Sequence, residues 1–241
     1  MLYDVRSIVW KEWGEFVRQR STIIGMSTFL AIFGVFLPLQ RGAGWVHSAA
    51  PVFDSVILPL MLVLSVVTDS FAGERERHTL ETLLASRLSD RAILFGKYLA
   101  VVLYAWGLTV GAFVLGCVTV NITDPSGGPH LYPAALAVNA ALFALLMAGM
   151  AAGVGVLISL RASTVRQAAQ TLSVGMTGLM FGIITALTTM PDGWRDALGD
   201  GLRSVGPVRT ALLVGAALLL LDLALFAGAL ARFRRDRLIL D

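Results

Sequence analysis

Cysteine is nearly missing from these 241 residues: Cys117 stands alone, inside an apolar run. A lone cysteine closes no internal disulfide and builds no zinc site, and Cys117 reads as a packing residue. Charge is scarce as well. Asp, Glu, Lys and Arg make up 15% of the chain, where a soluble domain carries roughly a quarter. There are three histidines, His47, His78 and His130, and neither a His-Glu-x-x-His nor a Gly-x-Ser-x-Gly sequence occurs. The metal-hydrolase and serine-hydrolase patterns are therefore absent. A phosphate-binding loop is absent too. The Gly96-Lys97 pair is followed by Tyr98, and Arg91 stands where the first glycine of that loop belongs; any ATP hydrolysis linked to this chain lies on another one. No repeat with a period of 20–50 residues is visible, and no inverted repeat, which argues against a secondary transporter.

What fills the sequence is apolar. Hydrophobic residues reach 56%, and the mean hydropathy is +0.77. They cluster into stretches long enough for a hydrocarbon core of about 30 Å, which takes roughly 20 helical residues. Runs such as Ala211 to Leu221 do not alternate, which excludes a β-barrel. Six spans are predicted, at 21–39, 52–70, 92–120, 132–160, 165–190 and 208–231.

The basic residues divide unevenly among the connections these spans create. Arg6, Lys11, Arg18 and Arg20 precede the first span, and Arg75, Arg77, Arg87, Arg91 and Lys97 join the second to the third. Arg161 and Arg166 join the fourth to the fifth, and Arg232, Arg234, Arg235 and Arg237 form the tail. The other side receives Arg41, Arg195, Arg203 and Arg209 alone. Because positive charge is retained in the cytosol, both termini are expected there, in a cell (inner or plasma) membrane. The net charge of +3 then reads as a basic rim on the membrane face, and no nucleic-acid partner is expected.

Residues 1–20 are too polar to span. Leu2, Val5, Val9, Trp13, Phe16 and Val17 recur at helical spacing with Asp4, Lys11, Glu12, Arg18 and Gln19 between them, which predicts an amphipathic helix on the cytosolic interface. The stretch from Thr123 to Pro129 reads as a turn-rich outer loop. Residues 191–207, bounded by Pro191 and Pro207, predict one or two short helices on the outer surface.

The connection from Asp69 to Lys97 is the most charged part of the chain. Within it Leu80, Leu83 and Leu84 recur at helical spacing around Glu81 and Thr82, and Thr79 is placed to cap a short helix. A leucine face on the cytosolic side needs something to cover it. This segment resembles the first cytoplasmic loop of type-2 ABC exporter permeases, the membrane subunits of ATP-driven exporters. The resemblance is carried by Glu74 and Glu76, by Thr79-Leu80-Glu81, by Leu83-Leu84 and by Gly96-Lys97. His78 departs from the usual glycine before the threonine, and Arg87 stands near a usual proline. Elsewhere, Lys11-Glu12 to Arg20 resembles the family's leading helix, Gly153 to Ala169 resembles its fourth-to-fifth junction, and 191–207 loosely resembles its outer helices.

The resemblance implies a single transmembrane permease domain over 1–241: an all-α integral membrane protein with six transmembrane helices, an interfacial helix at 1–20, a coupling helix within 71–91 and an external segment at 191–207. It implies that Glu74, Glu76, Thr79, Leu80, Glu81, Leu83 and Leu84 face a nucleotide-binding ATPase subunit. It also implies a second permease copy or related permease in the same bilayer, and export by alternating access. No cofactor is expected on this chain, and ATP and Mg would be held by the partner. Two other readings compete: a transporter or channel that needs no ATPase, and a membrane anchor or assembly factor.

Polar residues inside the spans are the candidates for a substrate pathway. Asp222 lies ten residues before Arg232, roughly 15 Å into the bilayer. An acid there costs about 2.5–3.5 kcal/mol on insertion scales and so should face the bundle. Asn139, Gln167 and Gln170 are weaker candidates, while Asp54 and Asp69 fall near span ends and call for no special role. Gly107-x-x-x-Gly111, Gly149-x-x-x-Gly153 and Gly178-x-x-x-Gly182 read first as close helix contacts within the chain.

Overall fold

The computed structural model describes residues 2–48, 50–79, 87–125 and 128–233, and among these every regular element is helical. The helices are α1 (Leu2–Arg18), α2 (Arg20–Leu30), α3 (Leu37–Arg41), α4 (Gly44–His47), α5 (Ala50–Glu76), α6 (Asp90–Thr123), α7 (Ala134–Ser159), α8 (Val165–Thr189), α9 (Asp192–Val205) and α10 (Pro207–Arg232). Five helical stretches are long and apolar enough to cross a membrane: Arg20–Arg41, α5, α6, α7 and the body of α10. The segment predicted as the fifth span forms the 25-residue helix α8, which is not among these five.

The first span is interrupted by a π-helical turn, Ala31–Phe36. The cause is Pro38, which has no N–H to offer the Gly34 carbonyl. The Thr119 hydroxyl of α6 donates to that carbonyl instead, at 2.8 Å, and the Leu37 N–H bonds to Ile32 O five residues back. Gly34 lets α6 come this close, because a β-carbon there would lie 2.8 Å from Leu115.

Side-chain caps fix two helix starts. Ser89 accepts from the Ala92 N–H to open α6, and Thr164 accepts from the Gln167 N–H to open α8. The core lies between α5, α6 and α7, around Leu58, Leu62, Val63, Val67, Phe71, Ile93, Leu94 and Val101. Contact between α5 and α7 is the most extensive in the chain. It depends on Gly155, where a β-carbon would lie 2.5 Å from Val67. Where lipid gives no hydrophobic drive for helices to meet, such close packing holds them together.

α1 lies across the start of α6, and a β-carbon on Gly96 would lie 2.8 Å from Ile8. Its buried stripe is Val5, Ile8, Glu12 and Phe16, while Tyr3, Trp10 and Val17 face outward. The sequence reading set Glu12 on the polar side, but the structure buries it to 3% exposure. The reason is a lysine on α6, described next.

Candidate functional site

The C-terminal ends of α5, α7 and α10 meet the N-terminal ends of α6 and α8 at one end of the bundle, here called the basic end. Phe71 of α5 packs there against Phe233, with tilted rings whose centroids lie 5.4 Å apart. Lys97 is the centre of this end and is 1% exposed. Its Nζ donates to Glu12 Oε1 at 2.7 Å and to the Ser70 carbonyl at 2.7 Å, and lies 3.0 Å from Glu74 Oε1. Its ammonium also lies 5.3 Å from the Phe71 ring centre. Lys11 donates to the same Glu74 oxygen at 2.9 Å. Burial pulls the Lys11 ammonium down, but its hydrogen bond to Glu74 and the charges of Glu74, Glu12 and Glu15 outweigh this and leave it above the ordinary lysine value. Two lysines and two glutamates thus bind α1, the end of α5 and the start of α6 into one unit. Breaking a buried pair strands a charge, which costs about 3–5 kcal/mol.

Three further ties surround this hub. Asp69 receives Arg77 Nη1 at 3.0 Å and Gln19 Nε2 at 3.1 Å, so the acid that needed no role in the sequence joins the α1–α2 corner to the end of α5. Gly73 makes this possible, because a β-carbon would collide with the Asp69 carboxylate. Burial pulls the Arg77 guanidinium down, yet the Asp69 hydrogen bond and charge leave it raised. Arg75 donates to the Ala162 and Leu160 carbonyls at 2.6 and 3.1 Å, gripping the turn between α7 and α8. Ser159 Oγ accepts from the Phe71 and Ala72 N–H groups at 3.1 and 3.0 Å.

The candidate residues of the connection take distinct places. Glu74 is in the hub. Glu76 makes no ion pair among the described residues, and its Oε2 accepts from the Val165 N–H, the first of α8, at 3.0 Å; a carboxylate at a helix N-terminus is favoured by the helix dipole. The Thr79 hydroxyl donates back to the Glu74 carbonyl at 3.3 Å. The Thr79 N–H bonds to Glu74 O and the His78 N–H to Arg75 O, which is the paired-bond helix stop that needs a left-handed residue between. His78 is that residue, with φ +55°, a conformation that glycine adopts without strain. Leu80, Glu81, Leu83 and Leu84 lie outside the described residues.

The span candidates do not form one cluster. Asn139 and Gln170 face outward. The Gln167 side chain accepts from the Ser163 N–H at 3.0 Å and the Ser163 hydroxyl at 2.9 Å, so it is engaged in the cap of α8. Asp222 is 8% exposed and faces Gly149 of α7. A methyl group on Gly149 would lie 2.7 Å from Asp222 Oδ2 and 3.1 Å from the Tyr98 hydroxyl. That hydroxyl donates to the Gly149 carbonyl at 3.2 Å. Asp54, near the opposite end of the bundle, is 7% exposed. Cys117 is a free thiol whose sulfur lies 3.2 Å from the His130 carbonyl.

Sequence reasoning missed the pairing of Glu12 with Lys97. A signal was present, since Lys97 sits seven residues into α6, beyond Asp90, where an ammonium needs a partner. The partner came from a helix 85 residues away, and spacing alone could not supply it.

Residues 52–199 match the family of ABC-2 family transporter proteins. The chain is also 28% identical over 175 residues to the ABC transporter permease protein NatB of Bacillus subtilis (strain 168). That similarity covers 66% of this chain and 44% of the relative, so the chain spans less than half of the relative's length. The chain belongs to the ABC-2 transporter family and is an all-helical, multi-pass membrane protein.

Proposed function

We propose that this chain is the permease subunit of an ATP-driven exporter. In this reading it crosses the bilayer six times, with α8 as the fifth span and both termini in the cytosol. α1 lies on the inner interface and α9 on the outer surface. The segment 71–91 couples the spans to a separate nucleotide-binding subunit that holds ATP and Mg, and a second copy or related permease completes the pathway. Glu74, Glu76 and Thr79 set the root of the coupling segment, and Leu80, Glu81, Leu83 and Leu84 face the ATPase. Asp222 belongs to the pathway, and Asn139, Gln167 and Gln170 are its weaker members.

One observation carries this reading. The root of the connection is bound to α1 and α6 through Glu74, to the α7–α8 turn through Arg75 and to the start of α8 through Glu76. A push on residues 77–89 is therefore delivered to four helices at once. A connection that only joined two spans would need none of these ties. The family match and the similarity to a permease protein support the same assignment.

The test is co-purification from native membranes. The tagged chain is expected to bring down an ATPase subunit, and Leu80→Asp, Leu83→Asp and Leu84→Asp together are expected to lose it while the chain stays folded. A wild-type chain that recovers no ATPase would overturn the reading in favour of an ATPase-independent transporter.

A further inference from the structure

Asp222 is an acid in the apolar middle of α10, and its surroundings define what it can hold. α7, which it faces, has no titratable residue from Ala134 to Ser159. α6 presents the Tyr98 hydroxyl, already spent on the Gly149 carbonyl, and behind it Phe95 and Tyr98 pack on Phe226. Lys97, next to Tyr98 in sequence, is committed to Glu12 and Glu74. On α10 itself no other charged residue lies between Arg209 and Arg232. Asp222 Oδ1 is buried and has no hydrogen-bond partner among the described residues. Gly149 leaves the space that the carboxylate fills.

We propose that Asp222 is a proton-binding site in the seam between α7 and α10, carrying its proton at neutral pH and releasing it to water when the seam opens. Among the described residues no cation faces this carboxylate, and an unpaired anion in an apolar medium is strongly disfavoured. A divalent metal ion asks for roughly six oxygen ligands. The seam offers the carboxylate, one carbonyl and one hydroxyl that already bond to each other. A proton needs a single oxygen, and the acid remains neutral while α10 stays closed on Gly149 and Gly153. Release rests on the permease reading, because it requires a cycle that parts the seam. Protonation at rest does not.

The experiment is infrared spectroscopy of the purified chain in lipid at neutral pH. Expected is the C=O stretch of a protonated carboxylic acid, downshifted in heavy water, lost in Asp222→Asn and retained in Asp54→Asn. If Asp222→Asn fails to fold, Asp222→Glu and Tyr98→Phe keep the test decisive, because each shifts the frequency of a band that belongs to this site. Absence of the band at neutral pH overturns the proposal. So does a band that follows Asp54, or one abolished by adding sodium, potassium or magnesium salts. None of these results depends on an ATPase partner, so the proton site and the permease reading fail separately.

Discussion

At the residue scale, two side chains stand where the local rules disfavour them. His78 holds a left-handed backbone conformation (φ +55°) that closes α5, a geometry that strains any residue with a β-carbon. His78→Gly is expected to raise stability by about 1 kcal/mol, read as a higher unfolding temperature in detergent; no change would mean that the imidazole makes a compensating contact. Lys97 is buried between two carboxylates. Lys97→Met is expected to cost about 3–5 kcal/mol, because both acids lose their central cation. Adding Glu12→Gln and Glu74→Gln should restore part of that loss. A single variant as stable as the wild type would show that the hub contributes nothing net.

At the element scale, the glycines sort the helix faces. On α7, Gly149, Gly153 and Gly155 each meet another helix at contact distance, while Gly107 and Gly111 on α6 and Gly178 and Gly182 on α8 meet nothing within 4 Å. Gly155→Val should therefore destabilise the isolated chain by about 1–3 kcal/mol, and Gly178→Val should leave it unchanged; equal melting temperatures would contradict the α5–α7 packing. The same Gly-x-x-x-Gly spacing has different meanings on different helices, and sequence cannot tell them apart. The attachment of α1 has its own signature. Folding raises the Lys11 value through Glu74, so this tie is fully present below the ordinary lysine value and is lost as pH climbs through the raised one. Hydrogen-exchange protection of α1, taken relative to the intrinsic rate at each pH, is expected to persist until strongly alkaline pH, and to fall at neutral pH in Lys11→Met. Equal protection in the variant would leave the hold on α1 to Lys97 and Glu12.

At the scale of the whole molecule, orientation follows from charge. In a chain with Cys117 replaced by serine, Ser48→Cys is expected to react with an impermeant thiol reagent from outside intact cells. Thr79→Cys should react only after the membrane is opened. The reverse pattern would invert the topology and place the 77–89 segment out of reach of any cytosolic ATPase. The five apolar stretches were legible as spans because length and hydropathy are properties of a continuous segment. Span ends were less legible: α5 runs to Glu76, past its apolar run, because Lys11 of α1 and Lys97 of α6 pair with Glu74 and the first N–H of α8 bonds to Glu76.

Composition and run length by themselves determined that this is an all-helical membrane protein with one basic end and a charged connection rooted there. Those conclusions need only the transfer of a segment between water and hydrocarbon, which each segment decides alone. The pairing of Lys97 with Glu12, the turn of Asp222 toward Gly149, the capping use of Gln167 and the choice of which glycines are covered were decided by tertiary structure. Each depends on which distant helix arrives at a given face. A buried charge or a missing β-carbon states that a partner is required, and only the packed bundle supplies its identity.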